Sequence, residues 1–173
     1  MQKVKLPISV DSVRAANNRL EILASLDKSL LSRLIESTIS IQSDIDTYFA
    51  FDVDQQKLKI FNGKASVAVE LTCQRCNEPM IYQCEAEFTY CPVLNKEQEN
   101  NLPDVYEPIY YDENGEVNLH QIVEDELLLT LPQIAMHAIE DCKYSDYESS
   151  FGEIEEEQER PNPFDALAQL KLK

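Results

Sequence analysis

The sequence predicts an α+β protein: an antiparallel β-sheet or partly closed barrel, a few short helices, and an acidic, partly flexible C-terminal tail. Three observations predict it. Apolar residues recur at helical spacing in the first 35 positions and again after residue 118, but with a period of two from about residue 38 to residue 90. Turn residues separate the period-two runs, as expected for antiparallel neighbours with one packed and one wet face. Acidic residues then crowd the C-terminal half, and the last apolar stretch is too short to fold alone.

Taken in order, Val4-Lys5-Leu6 reads as a first strand ended by Pro7. Asp11 and Ser12 are natural N-caps for a short helix presenting Val13, Ala16 and Leu20. Asp27 caps a second, with Leu30, Leu31, Leu34 and Ile35 at helical spacing. Ile39, Ile41 and Ile45 begin the alternation, and Phe49, Phe51 and Val53 share one strand face. After the Asp54-Gln55-Gln56 turn, Leu58 and Ile60 form a short return strand, and Asn62-Gly63 reads as a tight hairpin. Val67, Val69 and Leu71 make the next strand. The clearest alternation is Met80, Tyr82, Cys84, Ala86, Phe88 and Tyr90, with polar residues between. Residues 92–104 read as a polar loop, and Tyr106–Tyr111 as a returning strand. Asn118 and Gln121 form a capping box for a helix that buries Leu119, Ile122, Val123 and Leu127 and stops at Pro132. The domain so outlined spans residues 1–142. Residues 143–160 read as an acidic linker, and 161–173 as a short amphipathic helix or docking motif with Phe164 and Leu167 on one side.

With 173 residues and 43% hydrophobic content, the chain can bury a real core. No stretch approaches the roughly 20 apolar residues of a membrane span, and Met1–Lys5 does not lead into a secretory h-region. The cytoplasm is therefore expected, with no membrane partner. The net charge is −17, which repels phosphate backbones and attracts basic proteins, although acidity for solubility alone is common. Its distribution says more. Residues 1–35 hold six basic and three acidic residues, whereas residues 97–142 hold twelve acids and no Lys or Arg. Five glutamates fall within residues 153–159.

Five cysteines occur, at positions 73, 76, 84, 91 and 142. Structural disulfides are not expected in the cytoplasm. Cys73-Gln74-Arg75-Cys76 lies where a strand ends in a turn, a knuckle that points two thiolates at one ion. His137 and Cys142 would complete the four ligands of a structural zinc, a Cys3His site. The alternative is plain reduced thiols buried as small hydrophobes, the commoner outcome of such spacing and the expectation for Cys84. A thiol redox enzyme needs its C-x-x-C to open a helix after a strand, a context this pair lacks. Glu124, Asp125 and Glu126 are consecutive, so they splay around a helix and read as a solvated face. No G-x-S-x-G, Walker or H-E-x-x-H pattern is present, no small-molecule substrate is suggested, and nothing calls for catalysis.

Five segments in this order resemble the YceD family of large ribosomal RNA subunit accumulation proteins. They are Met1–Pro7, Leu71-Thr72-Cys73-Gln74-Arg75-Cys76, and Val123-Glu124-Asp125-Glu126 leading to Leu131-Pro132. His137 with Cys142, and Pro161-Asn162-Pro163-Phe164 with its Leu-Lys ending, complete the set. Ala135 departs from it, standing where a second proline would precede His137. The resemblance covers the whole chain. It implies a non-enzymatic binding factor that supports synthesis, processing or stability of 23S ribosomal RNA. On that footing, Lys3, Lys5, Arg14 and Arg19, with Arg75 at the knuckle, are candidates for contact with ribosomal RNA or its precursor particle. Phe164 and Leu167 are candidates for a partner's groove. A second reading is an acidic chaperone for a basic ribosomal protein, acting on the RNA indirectly.

Overall fold

The structure, a computed structural model, describes residues 4–144. Lys3, the acidic segment beyond Tyr144, and the stretch with Phe164 and Leu167 lie outside the described residues.

Strand β1 (Val4–Lys5) is followed by β2 (Ser9–Val10) and helix α1 (Ser12–Asn17), where the Asp11 carboxylate accepts from the Arg14 amide as a cap should. The helix buries Ala15 and Ala16, not Val13 or Leu20, which are both 40% exposed. Six residues make under two turns, too few to fix a face from spacing alone. Strand β3 (Glu21–Leu26) was not expected, because its burial alternates only at its end, Ala24 and Leu26. Asp27 does cap a turn, but a 3-10 turn at Lys28–Leu30. Helix α2 (Ser32–Ser37) follows and buries Leu34, while Leu30 and Ile35 stay exposed.

Strands β4 (Ser40–Ile41) and β5 (Ile45–Val53) lead to two long strands, β6 (Lys59–Thr72) and β7 (Pro79–Val93). Asn62-Gly63 is no turn, since β6 runs straight through it. Gly63 faces Phe88 across the ladder, and a Cβ there would come within 2.0 Å of the Phe88 ring. The glycine is required for space rather than for chain reversal. Helix α3 (Lys96–Asn100) interrupts the expected loop, before β8 (Glu107–Tyr110), β9 (Val117–Asn118) and α4 (Leu119–Thr130).

The sheet runs β1-β3-β5-β6-β7-β8, with β4 beside the far half of β6, while β2 and β9 pair separately. Its centre is antiparallel, as alternation and short turns predict. Both edges are parallel, however, since residues 6–20 and 94–106 return each chain end through a helix-bearing crossover. The two edges do not meet, so the sheet is open rather than a closed barrel.

One face of β5–β7 is dry. Phe49, Phe51, Phe61 and Phe88 pack there with ring centroids 5.2 to 6.4 Å apart, and α1 and α4 cover this face. The cap predicted at Asn118 forms, its side chain accepting from the Gln121 amide. No helix among the described residues is long and apolar enough to cross a membrane.

Candidate metal centre

The β6–β7 turn is built by its own backbone. The Asn77 amide donates to the Cys73 carbonyl (2.8 Å), the Cys73 amide donates to the Glu78 carbonyl (2.9 Å), and Asn77 sits at φ 58°. Asparagine tolerates that left-handed conformation, so the chain reverses within five residues and both knuckle sulfurs point the same way. Pro132 ends α4 and sends the chain across the knuckle. The Gln74 amide donates to the Ala135 carbonyl (2.8 Å), and the following residues bring His137 and Cys142 alongside.

The ligand atoms of Cys73, Cys76, His137 and Cys142 all lie within 4.8 Å of one another. The three cysteines are buried, with Met80 packed on them, and His137 is half-buried. Cys76 Sγ is 3.4 Å from His137 Nδ1. Tetrahedral zinc with Zn–S of about 2.3 Å and Zn–N of about 2.0 Å needs S···N separations near ~3.5 Å. On its far side, His137 Nε2 is 3.2 Å from the Pro79 carbonyl. An oxygen there fixes the proton on Nε2 and leaves the Nδ1 lone pair facing the sulfurs, the orienting contact that metal-bound histidines use.

The electrostatics favour an anion at the knuckle. Burial is the largest influence on Cys73 and pushes its thiol up. The backbone amides of His137, Cys76 and Arg75, with the Cys76 thiol, outweigh it and bring Cys73 down to about 6. The His137 amide donor lies 3.4 Å from Cys73 Sγ. Cys76 is pushed the other way by burial, with the Cys73 and Cys142 thiols beside it. One thiolate is thus preformed, and two further thiols and an imidazole stand ready to bind a soft or borderline cation. The cysteines are all unpaired and buried, and Cys84 and Cys91 lie apart from the four-ligand group. Because the C-x-x-C pair occupies a strand–turn–strand and not a helix start, the group suits metal coordination better than dithiol exchange.

The remaining site residues are scattered. Lys5 and Arg14 are exposed on β1 and α1. Arg19 pairs with Asp52 at 3.4 Å, and Arg75 lies 3.7 Å from Met136 Sδ. Two other members of the basic N-terminal stretch do structural work. Lys28 Nζ donates to the Ile41 carbonyl (2.8 Å), and the Arg33 guanidinium binds Glu124 at 2.8 Å and Asp125 at 2.5 Å. Nor is the acidic triplet a solvated face, since Glu124 and Glu126 are both buried. Glu124 meets α2, while Glu126 accepts from the Tyr90 hydroxyl. These partners are 91 and 36 residues away in sequence, and no local pattern marks them.

Comparison with known proteins gives a consistent picture. The family model described as "Large ribosomal RNA subunit accumulation protein YceD" matches residues 61–171, a span that includes all four candidate ligands. A protein of that name from Haemophilus influenzae is 47% identical over 174 residues, covering 100% of both chains. No solved structure matches.

Proposed function

The chain belongs to the YceD family, and on that premise we propose that it is a non-enzymatic cytoplasmic factor that supports accumulation of 23S ribosomal RNA by binding. The full-length 47% identity to a relative named for that accumulation carries the reading. The partner is large-subunit ribosomal RNA or its precursor particle. The Cys3His group is a structural zinc site within this factor. It ties the segment after α4 to the β6–β7 knuckle, and the metal supplies cross-linking rather than Lewis-acid chemistry, because all four protein donors converge on one point.

The test is the ratio of 23S to 16S RNA in cells lacking the protein, with and without a plasmid copy. A reduced ratio restored by the plasmid supports the role, and an unchanged ratio overturns it. A second reading, chaperoning of a basic ribosomal protein, is favoured by the twelve acids and no Lys or Arg of residues 97–142. A tagged-protein pull-down with ribonuclease separates the two. Large-subunit proteins retained after digestion support the chaperone, and association lost on digestion supports direct RNA contact.

A further inference from the structure

We propose that the cleft between the β5–β6 turn and α3 is a contact site for single-stranded RNA, with Lys57, Lys59 and Lys96 engaging the phosphates. The inference rests on the RNA-directed function above and assigns it to a place that the sequence did not suggest.

The cleft encloses about 570 Å³, room for a nucleotide or two, and both Lys57 and Lys59 line it. Lys96, exposed in the first turn of α3, stands in sequence between Asn95 and Glu97, which line the cleft, without lining it itself. None of the three lysine ammonium groups has a hydrogen-bond or ion-pair partner among the described residues, in contrast to the side chains of Arg19, Arg33 and Lys64. Glu97 is the one carboxylate on the wall. The neighbouring cleft beside β8 has the opposite character, with Asp112, Glu116 and Asp125 and no lysine or arginine. In a chain of net charge −17, a cleft with positive excess is where a phosphate backbone meets least repulsion.

The wall chemistry suits a nucleotide. Tyr111 brings a half-buried aromatic side chain, packed against the core, to the wall. Asn95, Gln98 and Asn101 each use one side-chain atom to brace α3: Asn95 Oδ1 accepts from the Gln98 amide, Gln98 Oε1 accepts from the Leu94 amide, and Asn101 Nδ2 donates to the Glu97 carbonyl. The other amide atom of each has no partner among the described residues and can read a base edge or a 2′-hydroxyl.

The turn that carries Lys57 is tightly held. Lys57 is held at φ 66° by the Asp54 turn, through Lys57 N to Asp54 O (3.1 Å) and Leu58 N to Asp54 Oδ1 (2.8 Å). Glycine or asparagine would occupy that conformation with less strain. The turn thereby fixes the backbone from which Lys57 reaches the cleft it lines.

The test is fluorescence anisotropy of the full chain with a labelled mixed-sequence 12-nucleotide single-stranded RNA, titrated at several salt concentrations. Three phosphate contacts at roughly −0.7 each predict a log–log salt slope of about −2. The triple variant Lys57→Asn, Lys59→Gln, Lys96→Gln is expected to bind about tenfold or more weakly with a flatter slope. The Lys59→Arg, Lys96→Arg variant keeps the charge and is expected to retain binding, which separates lost contact from lost fold. Equal binding by the triple variant overturns the proposal, as does no binding by the wild type at 50 mM salt, or a loss produced equally by Lys5→Gln, Arg14→Gln. The 23S to 16S ratio keeps the two ideas distinct. A null binding result with a reduced ratio in cells lacking the protein rejects this site and leaves the function standing.

Discussion

Glu126 places its carboxyl where the fold disfavours a charge. Its side chain is buried beneath Tyr90, whose hydroxyl donates to it. Burial pushes the carboxyl above its ordinary value, the Tyr90 bond partly opposes this, and the neighbouring charges of Glu107 and Asp125 push it up further. A folded-state value above the unfolded one means a stabilising contribution that is fully present below the unfolded value. That contribution is lost as pH rises through the folded value. At neutral pH the ionised form therefore costs stability. Glu126→Gln keeps an acceptor for Tyr90 without the charge, so the variant should exceed wild type by about 1 kcal/mol at pH 7.5, the scale of one buried polar contact. The gap should close below pH 4. Urea denaturation at several pH values measures it, and a gap that does not depend on pH would refute the assignment. Glu124, two residues earlier, is in a different position. Its carboxylate accepts from the Arg33 and Leu34 amides and from the Arg33 guanidinium, so every strong acceptor direction is used. The sequence shows three consecutive acids and cannot distinguish these cases, because burial on a helix follows from what packs on each side.

At the scale of elements, α2 is the clearest example of a helix capped from outside. Its N-cap residue is Leu31, which has no side-chain acceptor, and Glu124 of α4 supplies the missing carboxylate to its first-turn amides. Glu124→Ala should cost about 1–2 kcal/mol in urea denaturation, since it uncaps α2 while Arg33 keeps its bond to Asp125. The partly exposed Arg33 can turn to water, which keeps the cost below that of a fully buried pair. Strand β6 makes a related point about range. Asn-Gly is the strongest short-range signal for a hairpin, yet β6 continues because Phe88 on β7 needs the space that Gly63 leaves. Gly63→Ala should cost about 3 kcal/mol through overpacking. In a Phe88→Ala background, the same methyl should cost less than about 1 kcal/mol, and equal costs in both backgrounds would refute the packing account. What the sequence showed clearly was local: the caps at Asp11, Asp27 and Asn118, and the alternation from Met80 to Tyr90. What it hid was long-range. The parallel edges, strand β3 and the space at Gly63 depend on partners that no window of a few residues contains.

At the scale of the molecule, the four candidate ligands and their meeting were both expected from the sequence, although two come from the β6–β7 knuckle and two from a segment about sixty residues later. What the sequence hid was the path that Pro132 and the Gln74–Ala135 contact give that segment. The geometry indicates what a bound zinc would do for the whole. Cys73, Cys76 and Cys142 form a small cluster separate from the main aromatic core, joined to it through Met80. Without metal, the segment after α4 is held at the knuckle by individual polar contacts, among them Gln74 to the Ala135 carbonyl, His137 to Cys73 Sγ and to the Pro79 carbonyl, and Lys143 to Glu78. The sheet, by contrast, keeps its own core. Zinc should therefore stabilise locally first, and the loss should spread only as far as that segment supports α4. The purified protein is expected to contain one zinc per chain by elemental analysis. Cys73→Ser should lose the metal and unfold at a temperature lower by roughly 6–12 °C, the equivalent of about 3 kcal/mol for a chain of this size. Hydrogen exchange should then show the Gln74 and His137 amides unprotected while the central amides of β6 and β7 stay protected. If wild type carries no metal, or Cys73→Ser matches it in melting temperature and exchange, the cluster consists of buried reduced thiols and packing alone holds the knuckle. Loss of protection throughout β6 and β7 would instead show that the metal supports the entire sheet, a wider role than two separate hydrophobic clusters allow.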